Sequence, residues 1–225
     1  MRLQISKTLL ERLPDFSVSA YTFDLLVAND ENKLSNSITQ AFKDLTKEYN
    51  EQYTLEDVVN IKKIKETRDG YKRLKKDPSH TRPACEALLR RILKYFSIYR
   101  LGDVIDVGNY LSLRLLKSVC MVDCDKIVGD ITIRIGNLED EYYGINRGKI
   151  NVDNLPLYCD EESAFGNPTS DTQRTAVTSN TSKVLIMLIH FSNENIKEDE
   201  LLTEEILNKY LRINNLTKIN YEETN

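Results

Sequence analysis

The sequence lacks an apolar run long enough to cross a bilayer, since its longest run extends only from Val184 to Ile189. A membrane-spanning helix needs about 20 consecutive apolar residues. The N-terminal segment, MRLQISKTLLERLPDF, also lacks the uninterrupted apolar stretch and small-residue cleavage site of a secretory signal. We therefore expect a cytoplasmic protein without a membrane partner, in which 184–189 forms a buried strand or a short helix.

Residues that build metal or redox sites are few. The sequence has two histidines and four cysteines, at positions 85, 120, 124 and 159. Cys120 and Cys124 do not form a C-x-x-C pair, and no second cysteine or histidine pair completes a zinc site. Cysteines in a cytoplasmic chain are expected to stay reduced. The sequence therefore predicts neither a metal nor another cofactor.

Two glycine signatures of nucleotide-binding folds are missing. There is no G-x-G-x-x-G and no G-x-x-x-x-G-K, which argues against a Rossmann domain and against a P-loop nucleotide hydrolase. The 225 residues instead fit one domain, or one domain with appendages.

Apolar periodicity predicts mainly helices before residue 116 and mainly strands after residue 119. Ile131, Ile133 and Ile135 alternate with polar residues, as in a half-buried strand. The predicted helices cover 34–50, 54–67 with Thr54 as N-cap, 82–96 with Pro83 in the first turn, 103–116 and 199–212. The predicted strands cover 16–28, 131–135, 155–160 and 183–191, and 166–182 is a predicted polar loop. This segregation favours an α+β fold.

The net charge of −4 conceals a basic segment. Residues 62–94 contain twelve lysines and arginines but four acidic residues, which gives the segment a charge of +8 and the remainder −12. Binding to an RNA phosphate backbone requires such a patch, although a solvated helix face would have the same composition. The candidate RNA-binding residues are Arg68, Lys72, Arg73, Lys75 and Lys76.

The most distinctive motif runs from Asp103 to Arg134 and reads DVIDVGNYLSLRLLKSVCMVDCDKIVGDITIR. It resembles the core of the editing module formed by the third and fourth domains of the phenylalanyl-tRNA synthetase β subunit. Upstream, DPSHTRPACEALLRR resembles free-standing relatives of that module.

The resemblance implies a three-layer β/β/α fold in which N-terminal helices pack on antiparallel or mixed sheets. It covers about residues 16–192, so the expected domain is 1–192, with a helical part at about 34–116 and a mainly β part at about 119–192. Residues 193–225 would be an acidic extension with one helix.

Three positions depart from the module's pattern. Gly108 stands where the module has threonine, Cys120 where it has histidine, and Met187 close to where it has the glutamate that reads a tyrosine hydroxyl. Burying a hydroxyl without a partner costs about 1–3 kcal/mol. The resemblance therefore implies a pocket for a ligand that is more apolar than tyrosine or differently shaped.

Hydrolysis of an aminoacyl ester requires a positioned water and a polarised carbonyl, and it does not require a nucleophile. By resemblance, Asn109 would orient the water or the terminal ribose, and Gly166 would bring a backbone N–H close to the substrate. A capping asparagine and a turn glycine are the structural alternatives. Cys120 is expected to line the pocket, because neither His80 nor His190 is near it in the sequence.

Three charged residues lie near the start of one predicted helix. Arg82 and Arg90 would bind the tRNA end, while Glu86 would orient Arg90 across one helical turn. An ion network that joins the helical half to the sheet is the alternative. Asp123 and Asp125 resemble an acidic metal pair, but we expect them to bond turn backbone.

These features predict a tRNA-binding protein that hydrolyses mischarged aminoacyl-tRNA in trans and is not a complete aminoacyl-tRNA ligase. The changes at Cys120 and Met187 favour an alternative, a non-catalytic binder of RNA or of an amino-acid-like ligand. A partner-binding protein that uses its acidic tail is a third possibility. Asp171, Arg174 and Thr175 of the polar loop could close over a ligand, or form a mobile surface loop.

Overall fold

The computed structural model describes residues 1–26 and 31–224, and it describes side chains for 1–26 and 35–224. The helices in these ranges are α1 (Lys7–Arg12), α2 (Glu31–Gln52), α3 (Lys62–Arg73), α4 (Ala84–Tyr95), α5 (Asp103–Leu115) and α6 (Ile196–Tyr210). The strands are β1 (Leu3–Ser6), β2 (Ser17–Leu25), β3 (Val119–Asp123), β4 (Ile131–Ile135), β5 (Tyr143–Gly144), β6 (Gly148–Lys149), β7 (Pro156–Cys159), β8 (Ala164–Asn167), β9 (Ser170–Asp171), β10 (Lys183–His190), β11 (Ile213–Ile219) and β12 (Tyr221–Thr224). None of these described helices is both long and apolar enough to cross a membrane.

Two sheets organise the described chain. The first sheet has the strand order β12-β1-β4-β7-β8-β9; β1 is parallel to β12 and β4, and the other pairs are antiparallel. The second sheet is antiparallel throughout, with the order β11-β2-β10-β3. Strands β5 and β6 pair separately.

The second sheet forms the middle layer, with helices on one face and the first sheet on the other. Along β10, Ile186 and Leu188 pack with the helices, whereas Leu185 and Met187 pack against the first sheet. Because both faces are covered, β10 is an almost continuous apolar run. The structure confirms the predicted α+β fold, with helices packed on antiparallel and mixed sheets in three layers.

Helices α4 and α5 lie close to their predicted positions. The apolar stripe of α4, which includes Cys85, Leu89 and Ile92, is buried in the helical layer. Pro83 lies at the N-cap and not inside the first turn, with a φ of −55° that suits the entry to a helix. The apolar periodicity of the sequence therefore located both helices to within about two residues.

The helix predicted at 54–67 was placed too early. Asp57–Asn60 forms a 3₁₀ turn, and α3 begins only at Lys62. Thr54 does not cap a helix, because its own backbone N–H and its hydroxyl both donate to Asp57 Oδ2 at 2.7 Å. Asp57 therefore closes a separate turn before α3.

Several strands, including β1, lie where the sequence indicated none. The predicted loop at 166–182 includes the end of β8 and all of β9, and the segment after residue 192 contains β11 and β12 in addition to α6. Strand β11 pairs with β2, and β12 pairs with β1. Burial along β11 does not alternate, so the period-two signal is absent. Residues 27 and 28 of the first predicted strand, and the side chain of Leu34, lie outside the described residues.

Candidate functional site

A short hairpin places Gly166 opposite Asp171. In the β8–β9 hairpin, Gly166 pairs with Asp171, and Asn167 pairs with Ser170. Asn167 Oδ1 closes the turn by accepting hydrogen bonds from the backbone N–H of Thr169 at 2.8 Å and of Ser170 at 3.2 Å. Asparagine favours such turns because its side chain can mimic backbone. The turn therefore fixes Asp171 beside Gly166.

Contacts with the helical layer hold this turn in place. The Pro168 carbonyl accepts hydrogen bonds from the Ala84 backbone N–H at 2.9 Å and from Ser118 Oγ at 2.8 Å. The Tyr71 hydroxyl of α3 lies 3.0 Å from Thr169 Oγ1. The turn therefore contacts α3, the start of α4 and the entry to β3. Because α3 and α4 belong to the basic segment, these contacts connect that segment to the hairpin.

Gly166 lies in the middle of a row of residues that crosses the first sheet. Tyr158 on β7 is its neighbour on one side, and Asp171 on β9 is its neighbour on the other. A Cβ atom at residue 166 would lie 2.7 Å from Tyr158 Cδ2 and 2.9 Å from Asp171 Oδ1. Glycine is required here because the tyrosine ring and the carboxylate close over this position.

The row faces two predicted pocket residues on the second sheet. Cys120 on β3 and Met187 on β10 are paired, and both side chains point toward the first sheet. They are 3% and 0% exposed, whereas Asp171 is partly exposed. The structure therefore brings Gly166, Cys120 and Met187 together in a closed core, with Asp171 at its rim.

Burial changes the acidity of the groups in this cluster. It raises the pKa of the Asp171 carboxyl to about 7, although the Cys120 thiol and the Met121 backbone N–H offset part of the rise by hydrogen bonding. Burial, followed by the charge of Asp171, raises the pKa of the Cys120 thiol well above its ordinary value. Cys120 therefore stays a thiol and is a poor nucleophile, whereas Asp171 changes protonation near neutral pH.

Tyr158, which sequence reasoning missed, supplies a buried hydroxyl to the cluster. Among the described residues, its oxygen has no hydrogen-bond partner. Burial raises the pKa of this hydroxyl well above its ordinary value. An unpartnered buried hydroxyl costs about 1–3 kcal/mol. A ligand that accepts its hydrogen bond would remove that cost.

Gly108 and Asn109 lie on the other side of the second sheet. Their helix, α5, packs in the helical layer, and a Cβ atom on Gly108 would lie 2.6 Å from Met121 Sδ. Because side chains alternate along a strand, Met121 faces α5 and Cys120 faces the first sheet. The structure thus does not bring Asn109 and Gly166 to one face of this sheet. The catalytic role of Asn109 stays a prediction.

Glu86 on α4 is fully buried and is contacted by three arginines. Its carboxylate lies 2.8 Å from Arg68 Nη1, 2.8 Å from Arg90 Nε and 3.5 Å from Arg82 Nε. One carboxylate neutralises one guanidinium, so the cluster keeps two positive charges. The network ties α3 to α4. Arg82, which is 47% exposed, is its member with the most access to an anion.

The five candidate RNA-binding residues fall into two groups. Arg68 contacts Glu86, and Lys76 Nζ donates to the carbonyls of Asn151 and Asp153 at 2.8 Å. Burial also lowers the pKa of Lys76. The remaining three are exposed: Lys72, Arg73 and Lys75. This second group lies at the surface, where Lys72 forms an exposed ion pair with Asp69 at 3.0 Å.

Asp123 and His80 also have partners within the protein. Asp123 accepts hydrogen bonds from Thr181 Oγ1 at 2.7 Å and from the Asp125 backbone N–H at 3.2 Å. His80 is exposed and lies 2.7 Å from Asp77. In the part of the chain that the structure describes, no group of three or more His, Cys, Asp or Glu side chains is arranged to hold a metal ion.

A second polar cluster, on the helical side of the second sheet, was not predicted. Lys117 Nζ donates to His190 Nδ1 at 2.9 Å and lies 2.6 Å from Asp199 Oδ2. Because Nδ1 accepts, Nε2 carries the proton and donates to Ser19 Oγ at 2.9 Å, and Ser19 donates to Glu200 at 2.7 Å. His190 therefore cannot take a proton from Ser19, and this pair is not a nucleophilic dyad.

Comparison with known proteins identifies the family. The B3/4 domain profile matches residues 66–210, more than half of the chain. The crystal structure of an N-terminal fragment of the phenylalanyl-tRNA synthetase beta-subunit from Pyrococcus horikoshii is similar, with a TM-score of 0.52 and 11% sequence identity. The match covers 99% of this chain and 52% of that one, so this chain spans about half the fragment's length. No curated protein matches in sequence. The chain belongs to the B3/4 domain family.

Proposed function

We propose that this chain binds tRNA and hydrolyses the ester bond of mischarged aminoacyl-tRNA that another protein has charged. The observation that carries the proposal is the row of Tyr158, Gly166 and Asp171, which faces Cys120 between the two sheets and has Asp171 at its rim. The B3/4 family and the similarity to a phenylalanyl-tRNA synthetase subunit supply the tRNA context.

Asp171 is suited to act as the general base. A general base works best when its pKa lies near the working pH, and the pKa of Asp171 is about 7. Its carboxylate would take a proton from water as the water oxygen attacks the ester carbonyl carbon. The ester C–O bond then breaks, and Asp171 returns the proton to the ribose oxygen of the tRNA.

Tyr158 is suited to polarise the ester carbonyl. Its hydroxyl is a buried donor without a partner among the described residues, and donors aimed at developing negative charge are a large source of rate acceleration. Gly166 allows Tyr158 and Asp171 to approach each other. This steric role for Gly166 is additional to the predicted backbone donor role.

The surrounding side chains favour an apolar substrate side chain. Cys120, Met187 and Phe165 belong to the apolar layer around Tyr158, and Met187 offers no acceptor for a tyrosine hydroxyl. Arg82, the most exposed arginine of the Glu86 network, would contact a phosphate near the acceptor end. These features support a substrate in which the amino acid esterified to the tRNA is aliphatic or phenylalanine-like.

Deacylation of a panel of mischarged tRNAs tests the proposal. Wild-type protein is expected to hydrolyse one or a few of them, and Asp171→Asn is expected to lower the rate by about 100-fold or more, the usual range for a lost general base. Asp44→Asn, on the exposed face of α2, is the matched control and should leave the rate unchanged. Tyr158→Phe should lower kcat with little effect on binding.

The pH profile adds an independent readout. Because the base must be deprotonated, the enzymatic rate above the uncatalysed rate should fall about tenfold per pH unit below pH 7. Full activity of Asp171→Asn, or hydrolysis with no dependence on pH in this range, would exclude Asp171 as the base.

Binding without hydrolysis is the second candidate function. It is favoured by the closure of the core, since Cys120 and Met187 are 3% and 0% exposed. The same panel separates the two functions. Salt-sensitive tRNA binding by a folded protein that leaves every ester intact would support the binder and exclude the deacylase.

A further inference from the structure

The C-terminal end of α4 exposes aromatic side chains that the proposed hydrolysis does not use. Tyr95, Phe96 and Tyr99 are 55%, 68% and 66% exposed. Phe96 also has a left-handed backbone, with a φ of 54°, at the helix C-cap. Glycine or asparagine usually occupies such a position. Three large exposed rings so close together in sequence form an apolar surface of the kind found at interaction sites.

Two basic side chains, Arg91 and Lys94, lie beside these rings, whereas the neighbouring Arg90 and Arg100 pair with Glu86 and Asp106. The Arg91 guanidinium carbon lies 3.4 Å from the Tyr99 ring centroid and 5.3 Å from that of Tyr95, and Lys94 Nζ lies 5.0 Å from the Tyr95 centroid. These cation–π contacts hold the rings in place. Arg91, Lys94, Tyr95, Phe96 and Tyr99 together are called the aromatic–basic surface.

A groove opens beside the aromatic–basic surface. It has a volume of about 590 Å³ and lies between Phe96 and the helix α2 residues Phe42, Lys43 and Lys47. Glu51, which also lines it, lies 4.0 Å from Lys47. The combination of aromatic faces with basic side chains is typical of single-stranded nucleic acid binding, in which bases stack on the rings and lysines and arginines contact phosphates.

We propose that the aromatic–basic surface binds single-stranded RNA, and, resting on the proposed function, that this RNA is the unpaired acceptor end of the tRNA. Helix α4 connects the two sites. Its first residue, Ala84, donates to Pro168 in the turn of the Gly166 hairpin, and its last residue is Tyr95. Twelve helical residues span about 18 Å, a distance that a short, extended single strand can cover.

Fluorescence anisotropy with a short, unstructured, labelled RNA tests the surface without any ester chemistry. Tyr95→Ala and Tyr99→Ala are each expected to weaken binding about 10-fold, the effect of losing one stacked base. Phe96→Asn suits the left-handed backbone and should have a similar effect. Tyr95→Phe and Tyr99→Phe keep the ring faces and should bind like wild type.

Charge variants give a second readout. Arg91→Ala and Lys94→Ala should each reduce the slope of log K against log salt by about 0.7, the value for one phosphate of a single strand. Thermal unfolding of each variant confirms that it is folded. Unchanged RNA affinity in folded alanine variants would overturn the inference. So would concentration-dependent self-association through this surface without RNA binding.

The two proposals fail separately. RNA binding that depends on the aromatic–basic surface, without any deacylation, would keep this inference and remove the deacylase. Deacylation that requires Asp171, with the KM for tRNA unchanged in Tyr95→Ala and Tyr99→Ala, would keep the deacylase and remove this inference.

Discussion

The two faces of the second sheet carry buried polar groups that differ in one respect. On the helical face, Lys117, His190 and Ser19 form a chain of hydrogen bonds in which each of the three has a partner, although the Ser17 and Tyr21 hydroxyls on that face have none among the described residues. On the other face, Tyr158 Oη has no partner among the described residues, and burial raises the pKa of Asp171 to about 7. Saturated networks stabilise one conformation, whereas a buried polar group without a partner requires an explanation, of which a bound water or ligand is one.

The two regions also respond to pH in opposite directions. Burial lowers the pKa of His190 to about 3, below its unfolded value of about 6.5. The stability that its neutral form provides is present above pH 6.5 and is lost as the pH falls toward 3. Asp171 has a raised pKa, so its contribution is present below about pH 4 and is lost as the pH rises through 7.

The largest expected effect comes from breaking the saturated network. Lys117 is 2% exposed, and Lys117→Met would leave His190 Nδ1 without a donor and Asp199 with Lys63 as its one cationic partner among the described residues. Removing one partner of a buried ion pair costs about 3–5 kcal/mol. We expect the free energy of unfolding in urea to fall by about 3 kcal/mol.

Lys62→Met is the matched control for this substitution. Lys62 also pairs with an acidic residue, Glu194, but on the surface, where an ion pair contributes about 0–1 kcal/mol. A loss at Lys117 as small as that at Lys62 would contradict the distinction between saturated buried networks and surface pairs.

A smaller effect, of opposite sign, is expected at Asp171. Asparagine cannot ionise, so Asp171→Asn removes the cost of holding a buried carboxylate charged. Urea unfolding at pH 8 should give a variant more stable than wild type by about 2 kcal/mol, and this difference should shrink toward zero near pH 4.

Asp123→Asn sharpens this test. Asp123 is buried, and hydrogen bonds from Thr181 and from the Asp125 backbone N–H satisfy its carboxylate. Its replacement should lower stability at pH 8. If Asp171→Asn also lowers stability at pH 8, Asp171 belongs with the saturated carboxylates and not with an incomplete site.

Elements with strong local periodicity could be predicted from the sequence. The apolar stripe of α4, the alternation of β4 and the continuous apolar run of β10 each report burial against one or two layers. The three layers were implied by the resemblance to the synthetase module, and the residues from Asp103 to Arg134 indeed run through all three, from α5 to β3 of the second sheet and β4 of the first.

The candidate site could be predicted only in part. Gly166, Cys120 and Met187 were identified, but their contact with Tyr158 and Asp171 depends on strand pairing between distant segments, which a single sequence does not fix. One local signal was available. Asn167 and Pro168 are strong turn residues, so a tight turn there would have placed Gly166 opposite Asp171.

The basic segment offers the same contrast, between side chains with partners inside the protein and side chains that face solvent. We expect the smallest effect here. Among the candidate RNA-binding residues, Arg68 and Lys76 have partners inside the protein, so their loss should lower stability more than RNA affinity. Three others face solvent: Lys72, Arg73 and Lys75. Replacing these three together, with Ala at positions 72 and 73 and with Asn at position 75 because its φ is 65°, should reduce the slope of log K against log salt for tRNA by about 2.

A triple variant with Lys7→Ala, Arg12→Ala and Lys197→Ala is the control. It removes equal charge from other exposed positions and should leave the slope unchanged. Equal slopes for the two triple variants would mean that RNA responds to net charge and does not contact this basic segment.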